Sequence, residues 1–341
     1  MKKEANISGN HTVQNVKFKE GLFWQNMKQF QVPIYLFILL FIITAIFAPQ
    51  FYDMQNIINV LRQASIVGIV AVGMTFVILT AGIDLSVGAV LAFSGVIFAS
   101  MLSTGYPVWG AILLTLIIGL VVGLVNGIGT SFLGVQPFVM TLATMAILNG
   151  AALLITDGTP IDFFVTSSIM ELFGNGAILG IPGPVVIFFV GAVIAGLVLK
   201  NLPFGRYVYG IGGSLEAARL SGVRTTRVLL TVYAISGLCA AIAGVMTTSR
   251  LYVGHPTAGG FIMLDSIAAV VIGGTSLAGG RGHVAGTVAG VILLAMVSNL
   301  LNLLGVSPYN QQVAKGVIII IAVVFTAHGL KDRIKEHWTG L

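Results

Sequence analysis

Charge is what this chain of 341 residues has least of: 8% of its residues are Asp, Glu, Lys or Arg, against 57% apolar. A water-facing domain carries about 25% charged residues, so there are too few here to clothe a soluble surface. Disorder is excluded as well, because it needs low hydrophobicity and high net charge. A single cysteine, Cys239, leaves no intrachain disulfide and no cysteine-based metal motif. Catalytic motifs are missing too. There is no G-x-x-x-x-G-K-[ST] phosphate loop, no H-E-x-x-H pair and no G-x-S-x-G, and the five histidines are scattered. No nucleophile, metal or nucleotide cofactor is expected on this chain.

Long apolar runs are what it has instead, with a mean hydropathy of +1.01. They cover 32–48, 57–80, 85–103, 107–126, 135–156, 178–199, 228–249, 262–278, 283–304 and 312–327. A membrane-crossing helix needs about 20 such residues, whereas barrel strands alternate over about ten. The expectation is an all-α polytopic membrane protein of about ten helices. The third, eighth and tenth runs are short or glycine-rich, which admits re-entrant or broken helices. The first run follows a polar stretch and reads as a retained span, not a cleaved leader.

Basic residues orient the chain. With a cytoplasmic start, both tails (1–31 and 328–341) and the loops 81–84, 127–134, 200–227 and 279–282 lie inside, and they hold fourteen of the 17 Lys and Arg. The long outer loop 157–177 has Asp157, Asp162 and Glu171 and no basic residue. This asymmetry is the positive-inside rule. The net charge of +6 therefore belongs to cytoplasmic loops facing the membrane surface, and nucleic acid is not an expected partner.

Two internal likenesses compete. Gly134–Phe138 resembles Gly305–Tyr309, 171 residues on and on the opposite face, which suits two inverted halves. Gly82–Gly88 also resembles Gly274–Gly280, on the same face.

The loop 200–227 carries the most information. After Gly212-Gly213, read as a turn, Ser214 is a helix N-cap, Leu215 to Ser221 are helical and Gly222 stops the helix. Glu216 and Arg219 suit the helix dipole, and Ala217 and Ala218 allow close approach of another surface. From these facts alone, a plain connecting helix and a docking helix are equally open.

Glu216-Ala217-Ala218-x-x-x-Gly222 resembles the signature of permease subunits of ATP-binding-cassette importers. Gly73-Met74-Thr75 through Ala81-Gly82-Ile83-Asp84-Leu85-Ser86-Val87-Gly88, Asp265 through Gly280, and Asn302-Leu303-Leu304-Gly305-Val306 are similar to permeases of ribose-type monosaccharide importers. The resemblance spans roughly 57–325. It implies a bacterial inner-membrane permease that is not itself an enzyme. Its implied partners are an ATPase subunit that binds ATP, an extracytoplasmic sugar-binding protein, a second permease copy or sister chain, and membrane lipid. It also implies that Ser214 to Arg219 and Gly222 form the ATPase-coupling helix, and that ribose is the leading substrate.

Polar residues in apolar runs are costly, and Asp84 falls between two such runs, at the expected inner boundary of the membrane. Asp84, Ser86, Asn126, Asn149, Asp265, Asn299 and Asn302 are candidates for a gate or substrate path, with helix capping or interhelical bonding as the alternative. Arg62 and Lys315 snorkel or line an aqueous cavity. In the outer loop, Asp162 and Glu171 are candidate contacts for the binding protein, on a short surface helix. The rival reading is an ion-coupled secondary transporter, which needs coupling charges inside the membrane.

Overall fold

The computed structural model describes residues 37–326; the two predicted tails and the first residues of the first apolar run lie outside it. The described chain is α-helical, with two small two-stranded antiparallel sheets. Helix α1 (Phe37–Phe47) is followed by α2 (Met54–Leu79), α3 (Val87–Ser103), α4 (Val108–Ser131) and α5 (Pro137–Thr156). The second half of the chain holds α7 (Gly183–Asn201), α8 (Pro203–Gly213), α9 (Leu215–Leu220), α10 (Thr225–Leu251), α11 (Ile262–Ile272), α12 (Val284–Leu303) and α13 (Pro308–Thr326). Between the two sets, β1 (Ile161–Asp162), α6 (Ser168–Phe173), β2 (Ala177–Ile178) and β3 (Ile181–Pro182) fill the long loop, and β4 (Val253–Gly254) pairs with β1.

Each apolar run holds a helix. Six of these, α2, α4, α5, α7, α10 and α12, are long and apolar enough to cross a membrane by length and composition. Helices α1, α3 and α11 are shorter. The eighth run is broken: α11 stops at Ile272, and residues 273–283 turn through left-handed glycines at 274, 279, 280 and 282.

Helices α2 and α10 form the centre and run antiparallel. Gly73 of α2 faces Ser236 and Cys239 of α10, while Gln63 and Val67 share a cavity wall with Thr247. Glycine makes these approaches short. Along α4, Gly119, Gly123 and Gly127 stand one turn apart, and a Cβ on them would strike Gly237, Tyr233 and Leu230 of α10. Along α12, Gly286 and Gly290 do the same against Gly273 and Ala269. Close backbone contact through small residues is how helices associate in lipid, where no hydrophobic drive separates them from the solvent.

The inverted pairing is the one the backbone supports. Gly134 and Gly305 both take positive φ (71° and 73°) just before Pro137 and Pro308 open α5 and α13. At the same 171-residue spacing, Ala81 and Tyr252 are left-handed (59° and 57°) at the ends of the two central helices. Gly88 and Gly259 are likewise equivalent, and their backbones touch. Helix α10 packs on α3 and α4 of the first half, and α2 packs on α11 and α12 of the second. The partner of Gly82–Gly88 is thus 253–259. Its likeness to Gly274–Gly280 reflects shared glycine richness and not structural equivalence.

The loops sort to two ends. Leu79, Ala81, Gly212, Gly279 and Gly280 meet at one. At the other, Asn175 accepts from Arg62 through its carbonyl and donates to the carbonyl of Arg250, and β1 joins β4. The loops 81–84, 200–227 and 279–282, expected on one face, therefore share one end, and the acidic loop lies at the other.

Candidate functional site

Helix α9 stands where the sequence sets it. Ser214 is in extended conformation, and its hydroxyl accepts from the N–H of Ala217 at 3.2 Å, which caps the first turn. The helix ends in a Schellman-type close: the N–H of Val223 donates to the carbonyl of Ala218, and Gly222 takes φ +80°. Glu216 lies in the first turn and Arg219 in the last, each favourable to the dipole. The two alanines divide their tasks. Ala218 is buried against the body, while Ser214, Leu215, Glu216, Ala217, Arg219 and Leu220 are exposed. An exposed face of one alanine among charged and apolar neighbours, on a capped helix, is a rigid knob.

What holds the knob was not foreseen. Gly212 and Gly213 are not a turn but the end of α8, an eleven-residue helix. Its buried stripe of Gly205, Val208 and Ile211 recurs every three residues, as one face of a helix must. Phe204 packs on Phe76 of α2 with ring centroids 6.2 Å apart. Tyr209 donates to the carbonyl of Gly282 at 2.8 Å, and burial pushes its hydroxyl above the ordinary tyrosine range, so it stays a donor. Gly212 lies against the carbonyl of Leu79 and the N–H of Gly280, which bond each other at 2.9 Å.

Three of the predicted polar residues meet inside the bundle. The chain turns after α2 through a Schellman close, with Gly82 N–H on the carbonyl of Val77 and Ala81 N–H on that of Ile78. Non-helical residues 82–86 then lead inward, so that α3 starts within the bundle. Asp84 is 1% exposed. One carboxylate oxygen accepts from the N–H and hydroxyl of Ser86 at 3.0 and 2.6 Å, and the other from Ser236 at 2.8 Å. Asn126 donates to the Ser86 hydroxyl at 2.8 Å and accepts from Thr144 at 2.6 Å. The network joins the start of α3 to α4, α5 and α10. It satisfies polar groups that would be costly unpaired. Ser236 and Thr144 escaped the sequence reading because a hydroxyl inside an apolar run is indistinguishable from one bonding its own helix.

With this geometry in place, the comparisons with known proteins are decisive. Residues 56–323 match the family described as branched-chain amino acid transport system / permease component. The ribose import permease protein RbsC of Haemophilus influenzae is 45% identical over 289 residues, covering 84% of this chain and 90% of that protein. Its namesake from Bacillus subtilis is 49% identical over 289 residues, covering 85% and 89%. The chain belongs to this permease family. Among its relatives is also the D-allose transport system permease protein AlsC of Escherichia coli, 36% identical over 311 residues that cover 90% of this chain and 93% of the relative. No solved structure matches the permease.

The permease does not gather its other predicted polar residues into one site. Asn149 and Asn302 are exposed and apart from the Asp84 network. Asn299 forms a reciprocal amide pair with Asn56 at 2.9 and 3.0 Å, which ties α12 to the start of α2. Asp265 pairs with Lys315 at 2.8 Å, joining α11 to α13. That pair borders a cavity of about 230 Å³ with Gln63, Thr247, Arg250 and Ser298 on its walls. Lys315 therefore lines a cavity, and Arg62 reaches the carbonyl of Asn175 at 3.2 Å. In the acidic loop, the expected surface helix is α6, capped by Ser167 and anchored by buried Met170. Glu171 on this helix and Asp162 on β1 are both exposed.

Proposed function

We propose that the permease is the membrane subunit of an ATP-driven importer, with α9 as the helix gripped by a separate ATPase subunit. It is a multi-pass protein of the bacterial inner membrane, and ribose-like sugars are its cargo. The ribose permeases that cover most of its length support that cargo. In this reading the chain crosses the membrane about ten times with both tails in the cytoplasm. The end bearing α8, α9 and Arg281 is then cytoplasmic, and the acidic end with α6 receives the sugar-binding protein. A second copy, or a sister chain, completes the path, and ATP is bound and hydrolysed by the partner.

The single observation that carries the coupling role is the exposed, doubly capped α9, set on α8 and wedged through Gly212 against both the end of α2 and the 279–280 turn. A motor can act on a gate only through an element with two arrangements that it biases, and a loosely tethered loop would absorb the stroke.

The test is co-purification of an ATPase with the permease from its native membrane, followed by Glu216→Trp. The expected result is a folded membrane domain whose sugar uptake falls with sugar-stimulated ATP hydrolysis. Uptake that proceeds in ATP-depleted cells with the ion gradient intact would refute the reading in favour of ion coupling.

A further inference from the structure

Residues 255–260 form an irregular segment deep in the bundle. Helix α3 supplies the depth scale. Gly254 packs against Gly95, Val96 and Ala99, and Gly259 against Gly88. At 1.5 Å per helical residue, the segment descends from about 6–12 Å to about 22 Å below the Ser103 end of α3. It thus crosses the middle of a hydrocarbon layer about 30 Å thick. Pro256 and Gly259 are buried, but His255, Thr257 and Gly260 are exposed.

Non-helical backbone at this depth is not tolerated against lipid; it occurs where it is covered by protein or lines water. An exposed ionisable side chain at the same depth carries the same implication. The equivalent segment of the other half is the contrast. There Ser86 bonds back to Asp84 through its N–H and hydroxyl, and both residues are buried. Here Thr257 bonds back to Nδ1 of His255 through its N–H at 3.3 Å and its hydroxyl at 3.0 Å, in the same pattern, but both side chains are exposed. A backbone N–H can only donate, so Nδ1 is the acceptor and the ring proton sits on Nε2. The hydroxyl of Thr257 also donates to Nδ1, which leaves its lone pairs free. His255 and Thr257 therefore present one fixed donor and one fixed acceptor on opposite sides of the imidazole ring, groups that separate hydroxyls of a sugar satisfy, one as acceptor and one as donor.

We propose that 255–260 lines the water-filled sugar path, and that His255 Nε2 and Thr257 Oγ1 contact the passing sugar. This rests on the importer reading for the cargo, but not for the accessibility of the segment. The test uses the full transporter in membranes with Cys239→Ala as background, and His255→Cys or Thr257→Cys introduced singly. A charged, water-soluble methanethiosulfonate should label both within about tenfold of the loop control Thr159→Cys, with Val121→Cys on the outside of α4 at least a hundredfold slower, since only solvated thiolates react. Labelling as slow as at Val121→Cys would overturn the proposal, because the face would then be covered by protein or lipid. In the unlabelled transporter, His255→Gln and Thr257→Val should each raise the KM for uptake about fivefold, the effect of one lost hydrogen bond, with the amount of assembled protein unchanged. An unchanged KM for both would also overturn it. Absence of an ATPase partner would instead sink the importer reading and leave the labelling pattern intact.

Discussion

Replacement of Asp84 by alanine should destabilise the permease by about 3 kcal/mol, from the sum of a few orphaned bonds. The carboxylate accepts three hydrogen bonds, two from Ser86 and one from Ser236. In the alanine variant the Ser236 hydroxyl can turn to its own helix, as Thr75 does on the carbonyl of Ala71 at 2.7 Å. The N–H of Ser86 has no such refuge at the buried start of α3. A buried donor left unmet costs about 1–3 kcal/mol, and the vacated space adds to this. Polar contacts between membrane helices are worth less, averaging about 0.6 kcal/mol, which holds the total near the stated value. Asp84→Asn keeps one carbonyl oxygen for Ser86 and offers Ser236 a donor, so it should cost about 1 kcal/mol. Asn126→Ala should resemble it, because Thr144 still has the carbonyl of Met140 at 3.1 Å. Denaturant titration of the purified permease reads all three. Equal midpoints for Asp84→Ala and the parent, or an asparagine variant weaker than the alanine one, would refute the account of Asp84 as a structural hub.

Three further outcomes are expected. Gly123→Val, whose side chain meets the carbonyl of Tyr233, should cost about 3 kcal/mol or more through overpacking, and is read as loss of folded protein after extraction. Lys315→Ala leaves the Asp265 carboxylate without its ion-pair partner and should be less stable than the double change Asp265→Asn with Lys315→Gln, as expected when breaking a pair costs more than replacing it; the order of thermal midpoints checks this. Tyr209→Phe removes the bond to Gly282 and should cost about 1 kcal/mol, with proteolysis between α8 and α10 rising in step.

The helices were legible because apolar runs of spanning length leave few alternatives. Helix α9 was legible because a serine cap and a glycine stop are local signals that lie within nine residues. Helix α8 was not: four glycines in Pro203–Gly213 argue for a turn, and the helix exists because its glycines let it press on Leu199 and Leu79. The depth of Asp84 was hidden as well. Sequence placed it at the membrane boundary, whereas the non-helical residues after Ala81 carry it inward before α3 begins. The repeat misled for a related reason. Gly82–Gly88 looks like Gly274–Gly280 in letters, but its true counterpart follows a left-handed residue, as Ala81 and Tyr252 both are, and keeps the serine- or threonine-to-side-chain bond, with the acid exchanged for histidine. Sequence records chemistry at such sites poorly when two segments share only a backbone path. The amide pair of Asn56 and Asn299, 243 positions apart, is of the same kind.

The seat of Gly212 has a mechanical corollary. Its neighbours, the carbonyl of Leu79 and the amide of Gly280, belong to opposite members of the duplicated architecture, and the contact leaves no room for even a methyl group. A displacement of α8 at this seat would therefore bear on both members at once.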